Sequence, residues 1–202
     1  ALSMAGRDDV KGFVEAFAGS HRFVLDYLAE EVLRQQPSAV QGFLLRTSVL
    51  TRMTASLCDA VTGYDDGFET LQALERRNLF VVPLDDGRRW YRYHHLFAEV
   101  LQAFLRRREG KDVVDDLHRR ASSWYEEHGE PDQAFFHAAA GADYERAARL
   151  IEENWLKVGH SGRIKTILHW LEMMPYDVVR ERPLLSLVYA WGLWLTGQVE
   201  AS

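Results

Sequence analysis

Apolar side chains in this 202-residue chain recur mostly at three- and four-residue spacing, as expected of helices that bury one face. Val24, Tyr27, Leu28 and Val32 form such a stripe between Ser20 and Arg34. Pro37 then breaks the pattern, and Ser38 with Gln41 has the spacing of a reciprocal N-terminal capping box. The helix that follows carries Val40, Phe43, Leu44 and Thr47. A shorter one opens at Thr54, carries Leu57, Cys58 and Val61, and stops at Gly63. Asp66 and Glu69 mark another start, with Phe68, Leu71 and Leu74 as the expected buried face.

The period then shortens. Leu79–Leu84 reads as a strand, Asp85-Asp86-Gly87 as a turn with Gly87 in its left-handed position, and Arg89–Tyr93 as the returning strand. Pro83 cannot donate to a ladder, which places its strand at an edge. Helices, a two-stranded hairpin and a closing helix together describe a winged-helix domain.

Beyond Gly110-Lys111-Asp112 the pattern is helical throughout. Val114, Leu117, Ala121, Trp124 and Tyr125 make one stripe, ended at Gly129, with Pro131 suited to the first position of the next helix. Ala134, Phe135 and Ala138 follow, then Tyr144, Ala147, Ala148 and Ile151. Ile164, Ile167, Leu168 and Leu171 lead to Pro175, and Leu184, Val188, Trp191 and Leu195 form the last stripe. Recurrent turns at Gly129, Gly141 and Gly197 predict stacked TPR-like helical hairpins. The expected class is therefore mainly α: the end of a preceding region over 1–19, a winged-helix domain over 20–110, and the start of a truncated hairpin array over 111–202. Most of the tryptophans, Trp124, Trp155, Trp170, Trp191 and Trp194, are expected in the core, and an incomplete array would expose some of them.

Composition narrows the function. No apolar run is long enough to span a bilayer, and the N-terminus has no signal-peptide pattern. The start at Ala1 rather than Met suggests a piece of a longer protein. A single cysteine, Cys58, excludes an internal disulfide and fits a reducing compartment. The net charge of -6 argues against a dedicated nucleic-acid-binding domain. Arg88, Arg89 and Arg92 nevertheless cluster on the hairpin, and Arg106-Arg107-Arg108 reads as a solvated helix end that complements the dipole.

Catalytic motifs fail in turn. There is no Gly-x-x-x-x-Gly-Lys-Ser/Thr sequence, so this segment is not expected to hydrolyse ATP. Gly159-His160-Ser161-Gly162 lacks the second glycine of a nucleophile elbow at Arg163 and reads as an interhelical turn with Ser161 as N-cap. The histidines have no metal-ligand spacing, so neither a metal site nor a catalytic residue is expected. Asp115-Asp116 and Glu126-Glu127 read as solvated helix faces.

One stretch holds chemistry: Trp90-Tyr91-Arg92-Tyr93-His94-His95-Leu96-Phe97, where the hairpin enters a helix. The first N–H groups of a helix lack intrahelical partners and favour anions. A histidine there either donates to a phosphate oxygen or caps the turn.

Several runs in order resemble a known family. They are Phe43–Leu50, Leu57–Gly63, Leu74–Phe80, Trp90–Phe97, Leu117–Tyr125 and Leu168–Pro175. They resemble the large MalT-like, LuxR-type bacterial transcriptional regulators. The resemblance implies a cytoplasmic, bacterial, ATP-binding regulator. In that family a nucleotide-binding domain comes first, then the winged helix, the hairpin array and a C-terminal helix-turn-helix that binds DNA. ADP holds such proteins off; an inducer with ATP switches them on and promotes oligomerisation. The wider class of switch ATPases carries a Met-His-Asp-type motif at the end of this hairpin, where Tyr93-His94-His95-Leu96 stands here. His94 looks like the motif's histidine, expected near the β-phosphate of ADP, while His95 replaces the acid.

The chain is thus expected to be a non-enzymatic regulatory fragment with His94 as its cofactor-facing residue. Expected partners are the upstream nucleotide-binding domain, an inducer or effector protein, and DNA through the C-terminal helix-turn-helix. ATP or ADP would bind the full-length protein, to which any slow hydrolysis would belong. The alternatives are a winged helix that binds DNA directly and a helical scaffold that binds an effector.

Overall fold

The computed structural model describes residues 32–197, which form ten helices and one two-stranded sheet. The segment 1–19 and nearly all of the expected helix at Ser20–Arg34 lie outside the described residues. The chain divides into two compact units after Glu109.

In the first unit, helices α1 (Ser38–Thr47), α2 (Ala55–Thr62) and α3 (Gly67–Arg76) precede strands β1 (Val81–Pro83) and β2 (Tyr91–Tyr93) and helix α4 (His95–Arg108). Its core holds Leu44, Met53, Leu57, Phe97 and Leu101, all fully buried. Thr54 caps α2 by accepting the Leu57 N–H at 3.2 Å, and Gly63 ends it in the left-handed region at φ 78°.

The expected capping box does not form. Pro37 is the N-cap, with ψ 149°, so Ser38 is already helical and its side chain makes no cap bond. Gln41 instead donates its amide to the Gln36 carbonyl at 2.8 Å. Asp66 stands at the N-cap of α3 but also makes no side-chain cap bond. The carboxylate that takes the Gly67 N–H, at 2.8 Å, belongs to Asp59 of α2. This approach requires glycine, because a Cβ there would lie 2.5 Å from Asp59 Oδ1 and 2.6 Å from the Ala55 carbonyl. The buried face of α3 therefore runs Gly67, Leu71, Leu74, and Phe68 is rotated out to 55% exposure.

The two strands are antiparallel, with Val81 opposite Tyr93 and Pro83 opposite Tyr91. Tyr91 exchanges both backbone bonds with Met53, at 2.7 and 2.8 Å. Its N–H and carbonyl thus point away from Pro83, and the proline on the edge strand costs the sheet no ladder bond. The left-handed residue of the turn is Arg88, at φ 49°, not Gly87.

In the second unit, α5 (Lys111–Glu127) packs on α6 (Pro131–Ala140), α6 on α7 (Tyr144–His160), and α7 on α8 (Ile164–Glu172). A six-residue helix, α9 (Tyr176–Glu181), was not foreseen; α10 (Pro183–Leu195) closes against α7 and α8. Pro131 and Pro183 stand in the first turns of α6 and α10, where no N–H is needed. Ser161 is a C-cap rather than an N-cap: its hydroxyl donates back to the Val158 carbonyl at 2.7 Å. Val188 of the expected stripe is buried on α10, but its buried neighbours are Leu185 and Gly192 in place of Leu184, Trp191 and Leu195. Gly192 lets Leu168 come so close that a Cβ would meet its Cδ2 at 2.7 Å, which turns Trp191 and Leu195 outward. Trp124 and Trp170 are buried, Trp155 is half-buried, and Trp194 is 67% exposed.

Candidate functional site

The junction of β2 and α4 is built on an aromatic floor. Phe97 is fully buried and meets Phe80 at 5.2 Å and Tyr93 at 6.0 Å between ring centroids. The Tyr93 hydroxyl lies 2.6 Å from Thr47 Oγ1, which is itself 2.7 Å from the Phe43 carbonyl. A carbonyl can only accept, so the threonine hydrogen goes to Phe43 and Tyr93 donates to Thr47. Complete burial holds the Tyr93 phenol far above its ordinary value and keeps it a neutral donor.

His94 stands on this floor as the N-cap of α4, with φ -58° and ψ 136°. Its N–H donates to the Phe80 carbonyl at 2.8 Å, and its own carbonyl accepts from Ala98 at 3.0 Å. Phe80 reaches this geometry in the left-handed region, at φ 56°. The backbone of His94 is therefore held from both sides. Its ring makes no side-chain cap bond and is exposed. The His95 ring, also exposed, lies 4.5 Å away at a tilt of 34°. Arg92 is exposed as well. The junction thus presents a fixed backbone with polar rings turned outward. Those rings can donate to an anion near the first turn of α4.

The wing arginines are partly neutralised. Arg88 pairs with Glu75 at 3.3 Å, and Glu75 also accepts from the Tyr91 hydroxyl at 3.4 Å. Arg89 faces Asp85 at 3.9 Å, and the Arg52 guanidinium lies 4.4 Å over the Trp90 ring. Arg106, Arg107 and Arg108 are exposed in the last turn of α4. Cys58 is fully buried, and desolvation drives its thiol far above the ordinary value, so it is an inert core residue. Among the described residues no three histidine, cysteine, aspartate or glutamate side chains converge as a metal site would require. No helix among them is long and apolar enough to cross a membrane.

Two polar contacts were not legible in the sequence. Thr47 and Tyr93 lie 46 residues apart, and His118 meets His137 across the α5–α6 turn. Neither pair has a spacing that announces it.

Comparison with known proteins adds a further finding. Residues 29–113 match the family described as the MalT winged helix domain. The chain is 33% identical over 191 residues to the serine/threonine-protein kinase PknK of Mycobacterium tuberculosis (strain ATCC 25618 / H37Rv), covering 95% of this chain and 17% of that protein. It is 34% identical over 169 residues to the HTH-type transcriptional regulator MalT of Yersinia pestis (strain Pestoides F), covering 82% of this chain and 18% of that protein. The chain spans less than a fifth of the length of either relative.

Proposed function

We propose, from the match of residues 29–113 to the MalT winged helix domain, that this chain couples nucleotide state to output in an inducer-responsive transcriptional regulator. In this reading ADP is held by an upstream nucleotide-binding domain, and His94 reaches its β-phosphate from the wing. Oligomerisation and DNA binding follow in other parts of the longer protein, and the TPR-like hairpins of the second unit receive the inducer or an effector protein.

The observation that carries the reading is the state of His94. Its backbone is fixed by Phe80 and Ala98 while its ring stays exposed and makes no cap bond. A histidine that served only to cap α4 would turn its ring onto the helix. The exposed ring fits the role of a phosphate donor, and His95 beside it adds a second ring where the class has an acid. A charge-assisted hydrogen bond to phosphate contributes about 1.5–3 kcal/mol. That shifts a two-state balance by about tenfold or more in favour of the ADP-bound arrangement.

Similarity to PknK over 95% of the chain favours a broader form of the same reading, in which this segment is a coupling module that serves either a kinase or a DNA-binding output. Direct DNA binding by the wing is the less supported alternative, because Arg88 and Arg89 already face Glu75 and Asp85.

The deciding experiment replaces His94 in the full-length protein. His94→Ala is expected to lower ADP retention about tenfold and to raise basal transcription or, for a kinase output, basal phosphorylation. Unchanged ADP retention and basal output would end the proposal. A salt titration with duplex DNA tests the alternative, which requires affinity that falls steeply with salt.

A further inference from the structure

Among the described residues, one buried side-chain polar atom has no hydrogen-bond partner: Nε2 of His137 on α6. His137 is fully buried, and its Nδ1 lies 2.9 Å from Nδ1 of His118 on α5. The two rings are 5.0 Å apart at a tilt of 37°. Tyr125 of α5 stacks on His137 at 5.4 Å, and Phe136 meets it edge-on at 5.2 Å.

Two facing imidazole nitrogens at this distance require one hydrogen between them. Two lone pairs repel, and two N–H groups collide. A neutral pair meets the requirement in either direction. A pair charged once, on half-buried His118, also meets it, because the His118 Nδ1–H still donates to the His137 lone pair. A pair charged twice cannot, since both facing atoms then carry hydrogen and two cations share the interior of one hairpin.

The surroundings favour the uncharged pair. Asp115, one turn before His118, is buried and accepts from Lys111. It draws charge toward His118, but burial outweighs it and holds that ring below its ordinary value. His137 is pushed down to about 3, by burial first and then by His118. Arg119 is directed to the Gly141 carbonyl at 3.0 Å, and Tyr144 of α7 acts on Lys111.

We propose that His118 and His137 form a proton-operated joint between α5 and α6, closed while one facing nitrogen is free of hydrogen and opened when both carry one. Both rings titrate near 6.5 once released from the hairpin. The closed form is therefore favoured fully above that value and loses ground as pH falls below it. The ratio of open to closed rises about tenfold per pH unit for one linked proton and about a hundredfold for two.

The test follows ring-nitrogen NMR of this chain with labelled histidine from about pH 8 to about pH 4, alongside near-ultraviolet dichroism from the buried aromatics. In the wild type, protonation of His137 is expected only together with loss of the near-ultraviolet signal, with a slope approaching two protons. His118→Gln keeps a side chain able to bridge and removes one charge. Its transition is expected about half a pH unit or more lower, with a slope of about one proton. His137→Phe is expected to shift the same way; if it does not fold, His118→Gln decides alone. An unchanged midpoint and slope in His118→Gln would overturn the proposal. So would a protonated His137 in a protein that keeps its native near-ultraviolet signal.

Discussion

Tyr93 donates its buried hydroxyl hydrogen to Thr47 across 2.6 Å, tying the wing to α1 next to His94. The bond is directional, because Thr47 spends its own hydrogen on the Phe43 carbonyl. That makes the two possible deletions unequal. Tyr93→Phe removes the donor and leaves Thr47 still bonded, at a cost of about 1 kcal/mol. Thr47→Val strands a buried phenol with no acceptor and costs about 1–3 kcal/mol. Urea unfolding curves for the two variants measure the difference. A lower midpoint for Tyr93→Phe than for Thr47→Val would reverse the assigned direction.

Arg88 holds φ 49° in the hairpin turn, although glycine stands one position earlier. A side chain in that region costs about 1–2 kcal/mol. The Arg88–Glu75 pair offsets little of it, since the arginine side chain is 67% exposed. Arg88→Gly is therefore expected to raise the melting temperature, by a few degrees for about 1 kcal/mol. Gly87→Ala is expected to be neutral or slightly stabilising, because the nearest atom to its Cβ is 3.6 Å away. A lower melting temperature for Arg88→Gly would show that the ion pair outweighs the strain.

Gly141 and Gly129 are indispensable for opposite reasons. At Gly141 a Cβ would lie 2.8 Å from the backbone carbonyl of Asp115, which cannot move without shifting α5. Gly141→Ala is expected to cost about 1–3 kcal/mol through steric displacement. At Gly129 there is open space but φ is +71°, so alanine adds only backbone strain of about 1–2 kcal/mol. Asparagine, which tolerates the left-handed region, should recover part of the loss at Gly129 and none at Gly141. Thermal melts of both series distinguish the two causes.

Glu126 gathers Arg149 at 2.7 Å and Arg146 at 3.2 Å, joining α5 to α7. The Arg149 hydrogen bond holds its carboxyl below the ordinary value of 4.5. The stabilisation is therefore complete above that value and is lost as pH falls through the lower folded one. Glu126→Gln is expected to cost about 0.5–1 kcal/mol at neutral pH and nothing at pH values where the wild-type carboxyl is protonated. Denaturation midpoints for the two proteins should converge on acidification; a constant gap would attribute the loss to packing.

Much of the fold was legible because local chemistry decides it. The start of α2 at Thr54, its stop at Gly63, Pro131 at the head of α6 and the edge position of Pro83 each follow from one residue's backbone requirements. His94 was placed at the head of α4 for the same reason: the change of period ends one element and begins another. The misplaced helix faces have a different cause. Phe68 was expected inside and Gly67 was not, because the choice between neighbouring faces of α3 depends on how close α2 comes. Gly192 and Leu168 settled the rotation of α10 in the same way.

Periodicity and turn residues along the sequence determined by themselves that this chain is mainly helical, carries a hairpin between Leu79 and Tyr93 and has two histidines at the mouth of a helix. Only the tertiary structure decided which face of each helix is buried, that Thr47 receives the Tyr93 hydroxyl, and that His118 meets His137. Backbone preferences act over a few residues and can be read in order. Close packing and buried polar pairing join side chains 46 and 19 positions apart. Their free energies arise only when water is excluded and the two chain segments have been brought within bonding distance.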